Sequence, residues 1–321
     1  MNAASRKSWF WKLLKWLLMA AVLLFIGRRF WLDLQHPDLY QLELRPAWLV
    51  ASAAIYLVGL LPAALFWHRL LHRFGENPSL WASVRANYIG HLGKYVPGKA
   101  WALLLRAAMV RDCGVRAGVS IIASFYEVLT TMGAGSLLAA GVYAFDPPRI
   151  PGLDLPPHLT IGLLLAACAV PLLPAVFNRV VGKLAGKFEQ LDATGLPPVR
   201  LTTLLEGLAI TSLTWGFFGL STWALLAGLL PTPPELTLAF WLECSAAVAL
   251  AQVAGFLAVM FPSGIGVREY LLRHLLATTG PEALVTVAVL LLRLVWTAAE
   301  VVWAAAIFWI KPTNVAEPPG S

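Results

Sequence analysis

Residues 80–110 read LWASVRANYIGHLGKYVPGKAWALLLRAAMV, and the interruption inside that stretch decides how the rest of the chain is laid out. Two mildly apolar runs flank Gly93-Lys94-Tyr95-Val96-Pro97-Gly98-Lys99; the first carries Arg85, Asn87 and His91, the second Arg106. Neither run alone covers the roughly 30 Å of hydrocarbon that a helix of about 20 residues crosses. Glycine and proline at the break permit a tight reversal. The stretch therefore reads as a helical hairpin that enters a bilayer and returns to the side it came from. A second interruption, Phe261-Pro262-Ser263-Gly264-Ile265-Gly266, separates apolar runs at 236–259 and 267–278 and reads the same way. Two full crossings in place of either hairpin stay open, most of all for the longer second one.

The surroundings make the bilayer the solvent. Of 321 residues, 59% are hydrophobic and only 13% charged. Apolar runs at about 9–26, 47–67, 117–145, 158–177, 201–230 and 282–310 are each long enough to cross. They lack the two-residue alternation of a barrel, and helices satisfy their own backbone hydrogen bonds in lipid. The run at 9–26 is followed by Gly27-Arg28-Arg29 and no small-residue cleavage site, so an uncleaved helix is expected there. Residues 178–192 read as an interfacial helix, with Arg179, Lys183 and Lys187 on one face and Val180, Leu184, Phe188 and Leu191 on the other. The fold class is all-α: a polytopic membrane protein of about six spanning helices plus two re-entrant helical hairpins in an inverted-topology repeat.

The net charge of +7 resides in short loops, which argues for cytoplasmic loops and against nucleic acid. The N-terminus, 68–73, 106–116, 178–200 and Lys311 are basic, whereas 144–157, 231–235 and 279–282 hold one arginine between them. That places both termini on the cytoplasmic side. The balance holds only if both hairpins turn back. The layout is then an N-terminal helix and connector (1–46), a first repeat (47–145), a linking and an interfacial helix (146–200), an inverted second repeat (201–311) and a disordered tail (312–321). Inverted repeats are a common architecture for moving a solute through a site near the bilayer midplane.

Charge inside apolar runs is the sharpest chemical signal. Glu127 lies ten residues into its helix and Arg293 eleven into the last one, about 15 Å deep at 1.5 Å per residue. Each costs on the order of 3 kcal/mol at a helix centre, so a partner or a task is expected. Either the two pin the halves together as a structural pair, or they serve substrate or gating. Glu300 follows Arg293 by seven residues on the same face and extends this network; Glu206 sits near enough to its helix end to snorkel. At the first tip, Lys94 and Lys99 flank a turn whose outgoing helix carries Arg106. They suit an anion, or they cap a hairpin near the interface. At the second tip, Arg268 is placed for a phosphate and Glu269 for a cation or a neighbour. Gly264-Ile265-Gly266 lacks the strand and third glycine of a dinucleotide loop. No HExxH, GxSxG or metal-binding pattern occurs, and Cys113, Cys168 and Cys244 are dispersed. His68 and His72, one turn apart, read as interface residues before metal ligands. No catalytic residue, metal or cofactor is assigned.

Taken together, Gly93-Lys94-x-x-Pro97-Gly98-Lys99-x-Trp101, Arg106, Glu127, Pro262-x-Gly264-x-Gly266-Val267-Arg268-Glu269 and Arg293 resemble the lysylphosphatidylglycerol synthase transmembrane family. That family includes the flippase half of the multiple peptide resistance factor. Ser263 stands where glycine is common and Ile265 where leucine is common. The resemblance spans roughly residues 10–310 and implies a flippase for a charged, phosphate-bearing and in some members aminoacylated lipid. It implies no aminoacylation, because only Lys311 to Ser321 follow the last helix. The expected partners are a phospholipid or other charged lipid and the membrane, with a homo-oligomer left open. A membrane-embedded transferase, or an accessory subunit of a lipid-linked glycan or hopanoid pathway, is the alternative.

Overall fold

The computed structural model describes residues 44–95, 101–149, 155–185, 195–258, 264 and 266–310. The expected helix at 9–26, Lys99, Pro97, Pro262, Lys187 and the tail from 311 lie outside the described residues. Among the described residues there are ten α-helices: α1 (Pro46–Arg73), α2 (Leu80–His91), α3 (Trp101–Arg111), α4 (Ala117–Val142), α5 (Pro157–Leu172), α6 (Pro174–Ala185), α7 (Leu201–Leu229), α8 (Leu238–Leu257), α9 (Val267–Leu275) and α10 (Glu282–Phe308). There is no strand among the described residues. The protein is an all-α, multi-pass membrane protein: α1, α4, α7, α8 and α10 are each long and apolar enough to cross, and α5 with α6 makes a sixth if counted as one bent span.

Two boundaries differ from the sequence reading. A single span at 158–177 followed by an interfacial helix from 178 was expected, but the break falls at Leu173, between Pro171 and Pro174. Proline drives its predecessor out of the helical region, and Leu173 has ψ 126°. The two helices meet at a 59° bend, so the amphipathic helix begins at Pro174. Asn178 ties it to the start of α7, exchanging two 2.9 Å hydrogen bonds with the Val199 backbone. The hairpins are also unequal. The legs α2 and α3 have 12 and 11 residues, about 18 and 17 Å of rise, so neither spans. In the second hairpin α8 has 20 residues and α9 only 9; its first leg is long enough to cross alone.

Two units, α1–α4 and α7–α10, repeat the order long helix, hairpin, long helix. Their packing has the same repeat. α1 lies on α7, α2 on α10 and α8 on α4; within units, α1 meets α2, α3 and α4 meet, and α7 with α8 and α9 with α10 do likewise. Exchanging the units maps these contacts onto themselves. The pairing of α1 with α7 is antiparallel: a Cβ on Gly228 would meet Trp48, one on Gly59 would meet Phe217 and one on Gly207 would meet Phe66. Small residues at such points let membrane helices approach closely. The first long helices of the two units thus point in opposite directions.

Glycines set the hairpin geometry by close approach. A Cβ on Gly90 would sit 2.3 Å from Cγ of Arg106, and one on Gly93 would sit 2.5 Å from the Ala102 nitrogen. In the second hairpin, Gly264 (φ +64°) backs onto Gly255, where a Cβ would come within 2.6 Å of backbone. Gly266 (φ +91°) then opens α9 from the left-handed region that L side chains avoid.

Candidate functional site

Within each unit the hairpin's outgoing helix forms an ion pair with the long helix that follows it. In the first unit Arg106 of α3 donates to Glu127 of α4 at 2.5 Å, with both side chains 3% exposed. Thr131, one turn on, donates to the other Glu127 oxygen at 3.2 Å, and the Arg106 guanidinium lies over the Trp67 ring. In the second unit Arg293 of α10 donates to Glu269 of α9. The second Glu269 oxygen accepts the Gly266 N–H at 2.6 Å, which caps the helix start. Pinning of the halves by Glu127 against Arg293 is therefore not what holds them: each residue is neutralised inside its own unit. A helix-to-hairpin contact at a spacing of 21 or 24 residues is invisible to helical periodicity.

Glu300 joins the units. It is 2% exposed, and Lys94, in the 3₁₀ turn Leu92–Tyr95 that ends the first hairpin's inward leg, pairs with its Oε1 at 2.5 Å. The Tyr56 hydroxyl donates to the same oxygen, and the Tyr95 hydroxyl reaches Oε2 at 2.9 Å and Thr297 at 3.0 Å. Glu300 was grouped with Glu127 and Arg293 from sequence; here it belongs with Lys94. His91 lies between the two groups. Its Nδ1 is 3.5 Å from an Arg106 amino group, and Lys94 and Glu300 are also close enough to act on it electrostatically.

Arg268 is placed differently from the other cations. Among the described residues it meets no carboxylate at ion-pair distance, and its guanidinium lies over Trp296, 5.1 Å from the ring centroid. Trp296 stacks on Tyr56 at 4.3 Å and 11°, and its indole N–H donates to Ser221 at 2.9 Å. Arg268 is also within electrostatic reach of Glu269 and, more weakly, of Glu300. Half-buried at the start of α9, it thus sits beside the Lys94–Glu300 pair across one two-ring stack. Lys94, Arg268 and Glu300 come together; Arg106 and Glu127 form a sealed pair, linked to them through His91; Glu269 and Arg293 flank Arg268.

Sequence reading missed several contributors. Tyr56, Tyr95 and Trp296 looked like ordinary aromatics in apolar runs, and nothing in their spacing shows that they meet. Arg85 was noted as a polar residue in a weakly apolar stretch. It is buried, donating to the carbonyls of Ile307 at 3.1 Å and Phe308 at 2.5 Å, where a cation meets the negative end of α10. Trp81 adds a bond to the Ile310 carbonyl. Glu206 does not simply reach for the interface: it pairs with Arg69 and Arg73 of α1. His68 and His72 are engaged with Ser83 and the Pro78 carbonyl.

No curated protein matches the chain. The family model for the lysylphosphatidylglycerol synthase TM region matches residues 12–304, from before α1 nearly to the end of α10. With an all-helical body of five or six candidate spans, paired hairpins and charges held inside, the chain belongs to the lysylphosphatidylglycerol synthase transmembrane-region family.

Proposed function

We propose that the chain is a lipid translocase, moving a phosphate-bearing lipid between leaflets with the head group passing through the charged centre and the acyl chains left in the bilayer. The observation that carries this reading is Arg268. A cation drawn into a membrane protein with no carboxylate at ion-pair distance is expensive, and the more distant charges of Glu269 and Glu300 and its stacking on Trp296 offset only part of the cost. A phosphate supplies the directly bonded anion that is missing, and a guanidinium holds it through two parallel hydrogen bonds. The antiparallel relation of α1 and α7 supports the transport side, since two oppositely directed units around one site give two equivalent ways to open it. In this reading Arg268 contacts the phosphate, Lys94 lies beside it at the first hairpin's tip, and Arg106 and Glu269 hold the hairpins in place. The membrane, in the same reading, is a bacterial inner membrane with both termini on its cytoplasmic side, which the distribution of basic segments supports.

The test is transbilayer movement of a fluorescent anionic phospholipid in proteoliposomes. Arg268→Ala is expected to abolish protein-dependent movement, with Arg268→Lys retaining part of it, while both variants elute as the wild type does on size-exclusion chromatography. Wild-type rates in Arg268→Ala would reject the reading.

A further inference from the structure

We propose that Glu300 and the rings around it form a binding site for a primary ammonium group, which Lys94 fills as an internal stand-in. The proposal rests on the translocase reading only for the source of that ammonium, a lipid head group; the site itself stands on its geometry. An ammonium in a membrane interior needs a counter-charge, further oxygen atoms and aromatic faces. Glu300 supplies the first, with its side chain 1% exposed against 31% for Lys94, so the carboxylate is at the bottom and the amine enters from the mouth. The Tyr56 and Tyr95 hydroxyls both bond to that carboxylate, and Lys94 Nζ lies 5.2 Å from the Tyr95 ring centroid. Thr297 completes the rim through Tyr95.

Two features separate this from an ordinary structural pair. Lys94 hangs from a four-residue 3₁₀ turn and not from either long helix, so it can withdraw without unmaking a span. Arg268, which meets no carboxylate among the described residues, adjoins the cage through the Trp296–Tyr56 stack. An anion site and an ammonium site side by side fit a head group carrying both charges a few atoms apart. Glu127 and Glu269 do not suit this role, because each already holds an arginine.

A tethered competitor lowers apparent affinity by the fraction of time it leaves the site free, so removing it should tighten binding. The probes are phosphatidylethanolamine, phosphatidylglycerol and free ethanolamine, titrated into the detergent-solubilised full chain and read by native mass spectrometry. Lys94→Met, which keeps the stem but not the charge, is expected to bind phosphatidylethanolamine about tenfold tighter than the wild type, with no gain for phosphatidylglycerol. The double variant Lys94→Met/Glu300→Gln is expected to lose that gain. If Lys94→Met is unstable, phosphatidylethanolamine should restore its thermal transition and phosphatidylglycerol should not. Equal affinities in wild type and Lys94→Met, a gain that persists in the double variant, or no lipid-specific rescue would each overturn the proposal. Tight binding of free ethanolamine would keep the site and assign it to a soluble amine. Binding is measured without transport, so a wild-type protein that moves no lipid while Lys94→Met gains affinity would sink the translocase reading and leave the site standing.

Discussion

In the first unit the hairpin contributes the arginine and the long helix the carboxylate, Arg106 with Glu127; in the second the hairpin contributes Glu269 and the long helix Arg293. The backbone plan is shared and the charges are exchanged. The exchange has a local cause. Glu269 is three residues past Gly266, in the first turn of α9, where a carboxylate accepts a backbone N–H and faces the positive end of the helix. Arg106 is six residues into α3, past the reach of either terminus, and its bonds go to side chains alone. The exposures follow: 3% for both members of the first pair, 5% and 22% for Glu269 and Arg293. One unit carries a sealed pin and the other a pair that opens toward Arg268. Near-symmetric folds thus differ in which half is rigid and which is available to a ligand.

That contrast is broken or sharpened first by removing the arginines one at a time. Arg106→Met leaves Glu127 buried with Thr131 alone, and stripping one partner from a sealed pair costs about 3–5 kcal/mol. Arg293→Met leaves Glu269 its backbone N–H and a less enclosed setting, for a loss of about 1.5–3 kcal/mol. Thermal midpoints in detergent, followed by size-exclusion chromatography, check the order. Arg106→Met/Glu127→Leu should recover most of the first loss, since replacing both charges by apolar groups removes the buried orphan. Equal losses in the two single variants would erase the distinction between the units.

The hairpin glycines give a smaller version of the same comparison. In Gly90→Ala the new Cβ lies 2.3 Å from Cγ of Arg106, a stem that the Glu127 pair holds in place, so the variant pays an overpacking cost of about 1–3 kcal/mol. In Gly255→Ala the nearest atoms are 3.3 Å away at Gly264 and 3.4 Å away at Arg268. A shift of a few tenths of an ångström accommodates that, and the helical preference of alanine over glycine, roughly 0.5–1 kcal/mol, offsets it. Gly90→Ala should therefore melt well below the wild type and Gly255→Ala close to it. The reverse order would mean that the second hairpin is the tighter of the two.

The parts of the molecule legible in the sequence are those set by composition along a single helix. Runs of apolar residues located α1, α4, α7 and α10, and Gly-Pro punctuation located both hairpins. Buried charge flagged Glu127, Arg293 and Glu300 by the cost of placing each in lipid. What stayed hidden depends on through-space pairing. The partners of Glu127 and Arg293 come from the preceding helix, 21 and 24 positions back, and Glu300 finds Lys94 across 206 positions. The bend at Leu173 was within reach, since Pro171 and Pro174 stand in plain view; the apolar run through both masked it, because hydropathy sums over a window and registers no missing N–H. Arg85 was visible as a charge and not as a cap, since the carbonyls it holds belong to the far end of the chain.

A further contrast falls where α1 crosses α7. Ser52 donates to the Ser221 carbonyl and Ser221 to the Ser52 carbonyl, both at 2.8 Å, so the two residues are nearly interchangeable. Only one thing tells them apart: the Trp296 indole N–H donates to the Ser221 oxygen at 2.9 Å. Ser52→Ala therefore removes one interhelical hydrogen bond, worth about 0.6 kcal/mol in a membrane protein. Ser221→Ala removes its counterpart and also orphans a buried indole N–H, for about 1–3 kcal/mol in addition. Its loss should loosen the Trp296 ring on which Arg268 rests. Anionic-lipid affinity is then expected to fall in Ser221→Ala and to hold in Ser52→Ala. Equal melting and equal lipid binding in the two variants would mean that the crossing is symmetric in energy as well as in form, and that Trp296 is held by the Tyr56 and Phe218 rings without its indole hydrogen bond.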